Sequence, residues 1–230
     1  TIPEATGMNR ITLNIFDVTP FRAVALATVL SLAFTPLAAQ DFSKGYDAYQ
    51  AGDYSTALQE WRPLASQGHA WSQYSLGLMY DTGEGVLQDY AEAARWYRLA
   101  AEQGNVYAQS SLGAMHYDGI GVLQDFAEAM KWHQLAADQG DVFAQFNLGI
   151  IHYNGQGVLQ DFAEAMRWYR LAADQGDASA QFNLGFMYSN GKGVLEDNIM
   201  AHMWYNIGAA NGNELGGTNR DSIAEGMTQQ

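Results

Sequence analysis

The chain has 230 residues, a formal net charge of −14 and no cysteine. The lack of cysteine excludes a disulfide framework and any cysteine-based metal site. The acidic balance argues against sequence-independent binding to nucleic acid or to anionic membrane surfaces. It suits a basic partner, and it serves equally well simply to keep the chain soluble.

Residues 1–39 read as an N-terminal extension and export signal. Arg10 and Arg22 precede an apolar run from Ala23 to Phe34, and Thr35, Pro36, Leu37, Ala38 and Ala39 follow. A basic flank, an apolar run of about 7–15 residues and a small-residue exit describe a secretory signal peptide. The run is shorter than the about 20 residues of a membrane span. The expected cut lies after Ala39, leaving Gln40 as the mature start and no stable membrane span. Leu37 is less suited than alanine to the third position before the cut, so an uncleaved anchor is the alternative. Met8 is a more natural initiator than Thr1. Export points to a periplasmic or secreted location.

Residues 40–68 predict one helix pair of tetratricopeptide-like pattern, with its turn at Gly52 and Asp53. Tyr54, Ala57, Leu58 and Trp61 follow the spacing of a buried helical stripe. Pro63 falls inside the second helix and is expected to kink it.

From residue 69 to 212 the chain repeats itself. Trp96, Trp132, Trp168 and Trp204 stand 36 residues apart, and Gly68, Gly104, Gly140, Gly176 and Gly212 keep the same step. A fixed period in this range marks stacked units that cannot bury their apolar faces alone. Each unit opens with a helix, such as the one over Ala144 to Tyr153, and continues through a turn of the form Gly-x-Gly-Val starting at Gly83, Gly119, Gly155 and Gly191. A second helix starts at an aspartate. Asp89 with Glu92, Asp125 with Glu128 and Asp161 with Glu164 fit a capping box, in which the glutamate reaches back to the cap's own N–H. Ala165, Trp168, Tyr169, Ala172 and Ala173 form one inward face, and Gly176 follows the helix end in the left-handed position. Gly77, Gly113, Gly149 and Gly185 lie inside helices, where glycine costs roughly 0.5–1 kcal/mol against alanine. Their recurrence predicts close packing, with the alanine pairs of a neighbour as the expected partner. The last unit loses the glutamate of the box after Asp197, and residues 213–230 hold a capping helix placed over Arg220 to Met227.

The unit resembles the Sel-one-like repeat, a relative of the tetratricopeptide repeat, through Leu76 to Tyr80, Gly83 to Val86, Asp89, Ala93, Trp96, Tyr97, Ala100, Ala101, Gln103 and Gly104. The match recurs in every later unit and departs at His116, His133 and His152, where tyrosine is usual. The resemblance implies an all-α fold, a right-handed α-solenoid of stacked antiparallel helix pairs, used as a scaffold for protein complexes. Some cysteine-rich relatives are linked to β-lactam binding or hydrolysis, and this chain lacks their cysteines.

Catalytic readings fare poorly against structural ones. The Gly-x-Gly turns follow helices rather than strands, so they read as turns and not as phosphate cradles. The carboxylate pairs recur in successive units, whereas an active site is singular. His116 and His152 are equivalent residues of successive units, and helices packed about 8–10 Å apart do not bring them to a shared metal. They read as half-buried packing groups. No cofactor, metal or nucleophile motif is expected.

Comparing the units with one another narrows a binding surface. One row on the first helices varies: Trp71, Ser75, Leu78; Tyr107, Ser111, Ala114; Phe143, Asn147, Ile150; Ser179, Asn183, Phe186. The neighbouring row, Gln73, Gly77, Tyr80 and its equivalents, is nearly constant. A constant row fits packing between units and a varied one fits either a ligand surface or drift. In tetratricopeptide-like solenoids the first helices line the concave groove, so the expected partner-binding residues are Trp71, Tyr107, Ser111, Phe143, Asn147, Ile150, Asn183 and Phe186. The function that follows is a non-enzymatic scaffold or adaptor of the cell envelope that binds a protein or peptide. The alternatives are a hydrolase of cell-wall or β-lactam substrates, for which no singular carboxylate or serine stands out, and self-association through the end units.

Overall fold

The computed structural model describes residues 41–228, so the expected signal over residues 1–39 lies outside the described residues. Short turns join the helices into successive pairs. The first pair is α1 (Phe42–Gln50) and α2 (Tyr54–Ser66), and α2 runs on through Pro63. Then come α3 (Ala70–Thr82) with α4 (Tyr90–Glu102), and α5 (Val106–Asp118) with α6 (Phe126–Ala137). Next are α7 (Val142–Asn154) with α8 (Phe162–Asp174), and α9 (Ala178–Ser189) with α10 (Asn198–Ala210). α11 (Glu214–Thr228) packs on α10. Each helix packs on its neighbours in the chain, giving a helical solenoid with the 36-residue period of the sequence. Among the described residues, no helix is long and apolar enough to cross a membrane.

The core is a series of clusters that bridge units. Ala57, Trp61 and Ala65 of α2 pack with Leu76 and Met79 of α3, and Trp132 of α6 joins Tyr97 and Leu112 from the helices before it. The inward face expected on α8 is present, with all five of its residues buried.

A buried amide relay ties each unit to the next. Gln109 donates to the Ala101 carbonyl of the preceding helix at 3.0 Å and accepts from Gln139 at 2.7 Å. Gln73, Gln145 and Gln181 repeat this with Ala65, Ala137 and Ala173. The constant row of the sequence therefore satisfies carbonyls at helix ends, where about 1–3 kcal/mol is lost for each group buried without a partner.

Three expectations change. The capping box is half formed: Asp89 accepts from Ala91 and Glu92, both at 3.0 Å, but its own N–H donates to the Tyr80 carbonyl at 2.9 Å. Glu92 is thereby free to pair with Arg95, and Glu128 with Lys131 and Glu164 with Arg167 do the same. The mid-helix glycines face rings rather than alanines: Tyr97 covers Gly77, His133 covers Gly113, Tyr169 covers Gly149 and Tyr205 covers Gly185. The closing helix starts at Glu214, not Arg220. Asn213 accounts for the early start by accepting from the Gly216 N–H at 2.9 Å, and Gly216 permits the close packing on α10, since a Cβ there would lie 2.8 Å from the Tyr205 carbonyl oxygen.

The glycine turns have a structural cause. Gly83 caps α3 in the left-handed region at φ 77°, and Gly85, also at positive φ, packs against Tyr54 at the start of the preceding unit's second helix. One glycine serves the cap and the other the close approach.

Candidate partner-binding face

The varied row lies along the first helix of each unit. Trp71, Tyr107 and Phe143 sit two residues after the caps His69, Asn105 and Asp141, beside buried Gln73, Gln109 and Gln145, and they remain 46%, 49% and 53% exposed. Exposed apolar side chains that adjoin one another, unlike single ones, mark candidate interaction surfaces. Two of the three also touch across units: the Trp71 and Tyr107 rings lie 5.7 Å apart, and Tyr74 lies 5.8 Å from Tyr107. The fourth unit opens with Ser179 instead, and its exposed ring is Phe186, at 38%.

Three cavities open along these helices. An apolar one of about 490 Å³ is walled by Phe42, Tyr46 and Tyr49 of α1 with Trp71 and Tyr74 of α3. A central one of about 500 Å³ is formed by α3, α5 and α7, with Tyr107, Ser111 and Phe143 in its lining. A smaller one of about 270 Å³ lies between Tyr153, Tyr169 and Phe186, with Asn183 at its edge. Six of the eight residues expected from sequence thus line a cavity, distributed over three cavities. Asn147 and Ile150 line none of them. The Asn147 amide donates to the Phe143 carbonyl at 2.8 Å, and Ile150 packs against the core around Ala165 and Tyr169.

Several lining residues were not singled out from sequence. Tyr74 forms the wall shared by the first two cavities, and Asp81, Asp118 and Asp141 line the central one. A second varied row was there to be read: Tyr74, Ser110, Phe146 and Phe182 occupy one position in successive units. Asp141 caps α7 through the Ala144 N–H at 2.7 Å and accepts from the Ser110 hydroxyl at 2.7 Å. Asp81 accepts from the Tyr97 hydroxyl at 3.2 Å. Burial raises the Tyr74 phenol above its ordinary pKa, and Tyr107, Asp141 and Asp81 push it the same way.

The histidines play separate parts. His116 is buried and its Nε2 lies 3.2 Å from Arg98. Burial, then the Arg98 charge, lowers its pKa. His152 is half-buried. His133 is wholly buried, and neither ring nitrogen has a hydrogen-bond partner in the protein. Burial pushes its pKa down to about 4, with Asp141 opposing. Elsewhere in the array the turn leucines Leu87, Leu123, Leu159 and Leu195 are each about nine-tenths exposed.

The family model described as the Sel1 repeat matches residues 72–105, 106–141, 142–177 and 178–213. No curated protein sequence matches the chain. Among solved structures, a protective antigen of uropathogenic Escherichia coli strains with an SLR fold is 35% identical, at a TM-score of 0.77 over 90% of this chain and 44% of its own. A Sel1 repeat protein from Oxalobacter formigenes is also 35% identical, at 0.74 over 78% of this chain and 74% of its own. A further sel1 repeat protein from Klebsiella pneumoniae, at 22% identity and a TM-score of 0.50, shares the fold. The chain spans less than half the length of the Escherichia coli antigen.

Proposed function

Because the chain belongs to the Sel1 repeat family, whose members are generally protein-interaction scaffolds, we propose that it is a non-enzymatic adaptor of the cell envelope. Its first helices would hold a peptide or protein partner. The observation that carries this reading is the row of half-exposed rings, Trp71, Tyr107 and Phe143, continued by Phe186 and set among the three cavities. Aromatic side chains of this kind dominate binding energy where they become buried at an interface. The basic flank and apolar run before Ala39 support the envelope location.

The test is in-cell crosslinking of the tagged full chain, with partners identified by mass spectrometry, beside a variant carrying Trp71→Ala, Tyr107→Ala and Phe186→Ala. The three rings are half-exposed, so the variant is expected to keep its helical circular dichroism. A specific partner is expected with the native chain and at least ~10-fold less of it with the variant, since hot-spot aromatics contribute about 2 kcal/mol or more each. Undiminished capture by a folded variant would remove this face from the account.

A further inference from the structure

We propose that the central cavity between α3, α5 and α7 is a receptor for an arginine side chain of the bound partner; this rests on the adaptor reading above. The cavity has aromatic walls, Tyr74, Tyr107 and Phe143, and three carboxylates, Asp81, Asp118 and Asp141, and no lysine or arginine lines it. A guanidinium stacks on aromatic faces and pairs in the plane with carboxylates, which a neutral or anionic side chain does not do.

Two of the three carboxylates are not a product of the repeat, whereas Asp141 is a helix cap with Asp177 as its equivalent in the next unit. The positions equivalent to Asp81 are Tyr117, Tyr153 and Ser189, and those equivalent to Asp118 are Thr82, Asn154 and Asn190. Acid is therefore concentrated at this one place in the stack. Two of the three stand where a helix disfavours them. Asp81 lies in the last turn of α3 and Asp118 is the final residue of α5, each against the negative end of its helix dipole. A carboxylate there is destabilising on its own, and a bound cation relieves it.

The basic side chains of the neighbouring units are engaged elsewhere. Arg95 and Lys131 pair with the glutamates of their own helices, and Arg98 lies against His116. No cation of the described chain fills the site from within. Through the shared wall at Tyr74 the cavity adjoins the apolar one lined by Phe42, Tyr46 and Trp71. The partner segment is thus expected to carry a bulky apolar residue near its arginine.

The experiment selects binders to the full chain from a phage-displayed random dodecapeptide library and measures the best peptide by fluorescence anisotropy. The same peptide is remade with citrulline, the neutral isostere, in place of arginine. Both are measured on the native chain and on an Asp81→Asn, Asp118→Asn variant, whose fold is checked by circular dichroism. Neither change removes a helix cap, and both relieve an unfavourable end charge. The expected result is arginine-containing peptides, at least ~10-fold weakened by citrulline on the native chain and less than about 2-fold on the variant. Peptides that bind this face without a basic residue, or an equal citrulline effect on both proteins, would overturn the arginine site while leaving the adaptor reading intact. A failure of any peptide to bind would overturn the arginine site, while the crosslinking described above decides the adaptor reading.

Discussion

Gly77→Ala lowers the melting temperature by about 5–10 °C, although alanine is the better helix former by roughly 0.5–1 kcal/mol. An added Cβ would lie 2.5 and 2.6 Å from two ring carbons of Tyr97. The ring has nowhere to retreat. It is buried among Ala93, Leu112 and Met115 with Tyr74 against it, and its hydroxyl donates to Asp81. Forcing one methyl into such a contact costs about 2–3 kcal/mol net. The same substitution at Gly217 of α11 serves as the control, because the nearest atom there is 3.9 Å away, and no loss is expected. Thermal melts followed by circular dichroism check both. Equal behaviour of the two variants would mean that the ring-over-glycine contacts do not hold the pairs together.

His133→Tyr is expected to make the protein markedly more resistant to acid. Tyr97, Tyr169 and Tyr205 occupy the equivalent places, and two of their hydroxyls reach Asp81 and Ser189 at 3.2 and 3.3 Å. His133 covers Gly113 in the same way but finds no partner for either nitrogen. Its folded pKa of about 4 lies below the ordinary 6.5. The unfolded chain therefore takes up a proton that the folded chain refuses as pH falls from about 6.5 to 4. Stability is full above this window, declines through it, and levels off below it. At pH 5 the loss amounts to about 2 kcal/mol, or roughly 4–8 °C. Melting temperatures at pH 7.5 and pH 5 should therefore diverge less in His133→Tyr, and also in His133→Phe, which removes the titration without adding a hydroxyl. A native-like pH slope in both variants would contradict this account of the buried imidazole.

The repeat and its helices were legible because the determinants are local. A capping aspartate, a turn glycine and a tryptophan recur at one step, and each acts within a few residues. What each glycine faces was not legible. Gly77 and Tyr97 are separated by 20 residues, and only the crossing of two helices brings the ring over the backbone. The start of α11 lies before the expected Arg220: Asn213 caps the helix, and Gly216 answers to the close approach of the Tyr205 carbonyl. The exposed rings followed from comparing the units. The central cavity did not, because Asp81, Asp118 and Asp141 come from a helix end, another helix end and a cap, at spacings that are not the period. Asn147 was chosen by its row, yet its amide turns to the Phe143 carbonyl.

Site-specific photocrosslinking tests most directly whether the first helices carry the partner. Benzoylphenylalanine replaces Tyr107, Phe186 or, on the exposed side of α8, Leu171, each a partly exposed position. The account predicts one crosslinked partner shared by positions 107 and 186 and absent at 171. Crosslinking to that partner from 171 alone would place the interface on the second helices and contradict it.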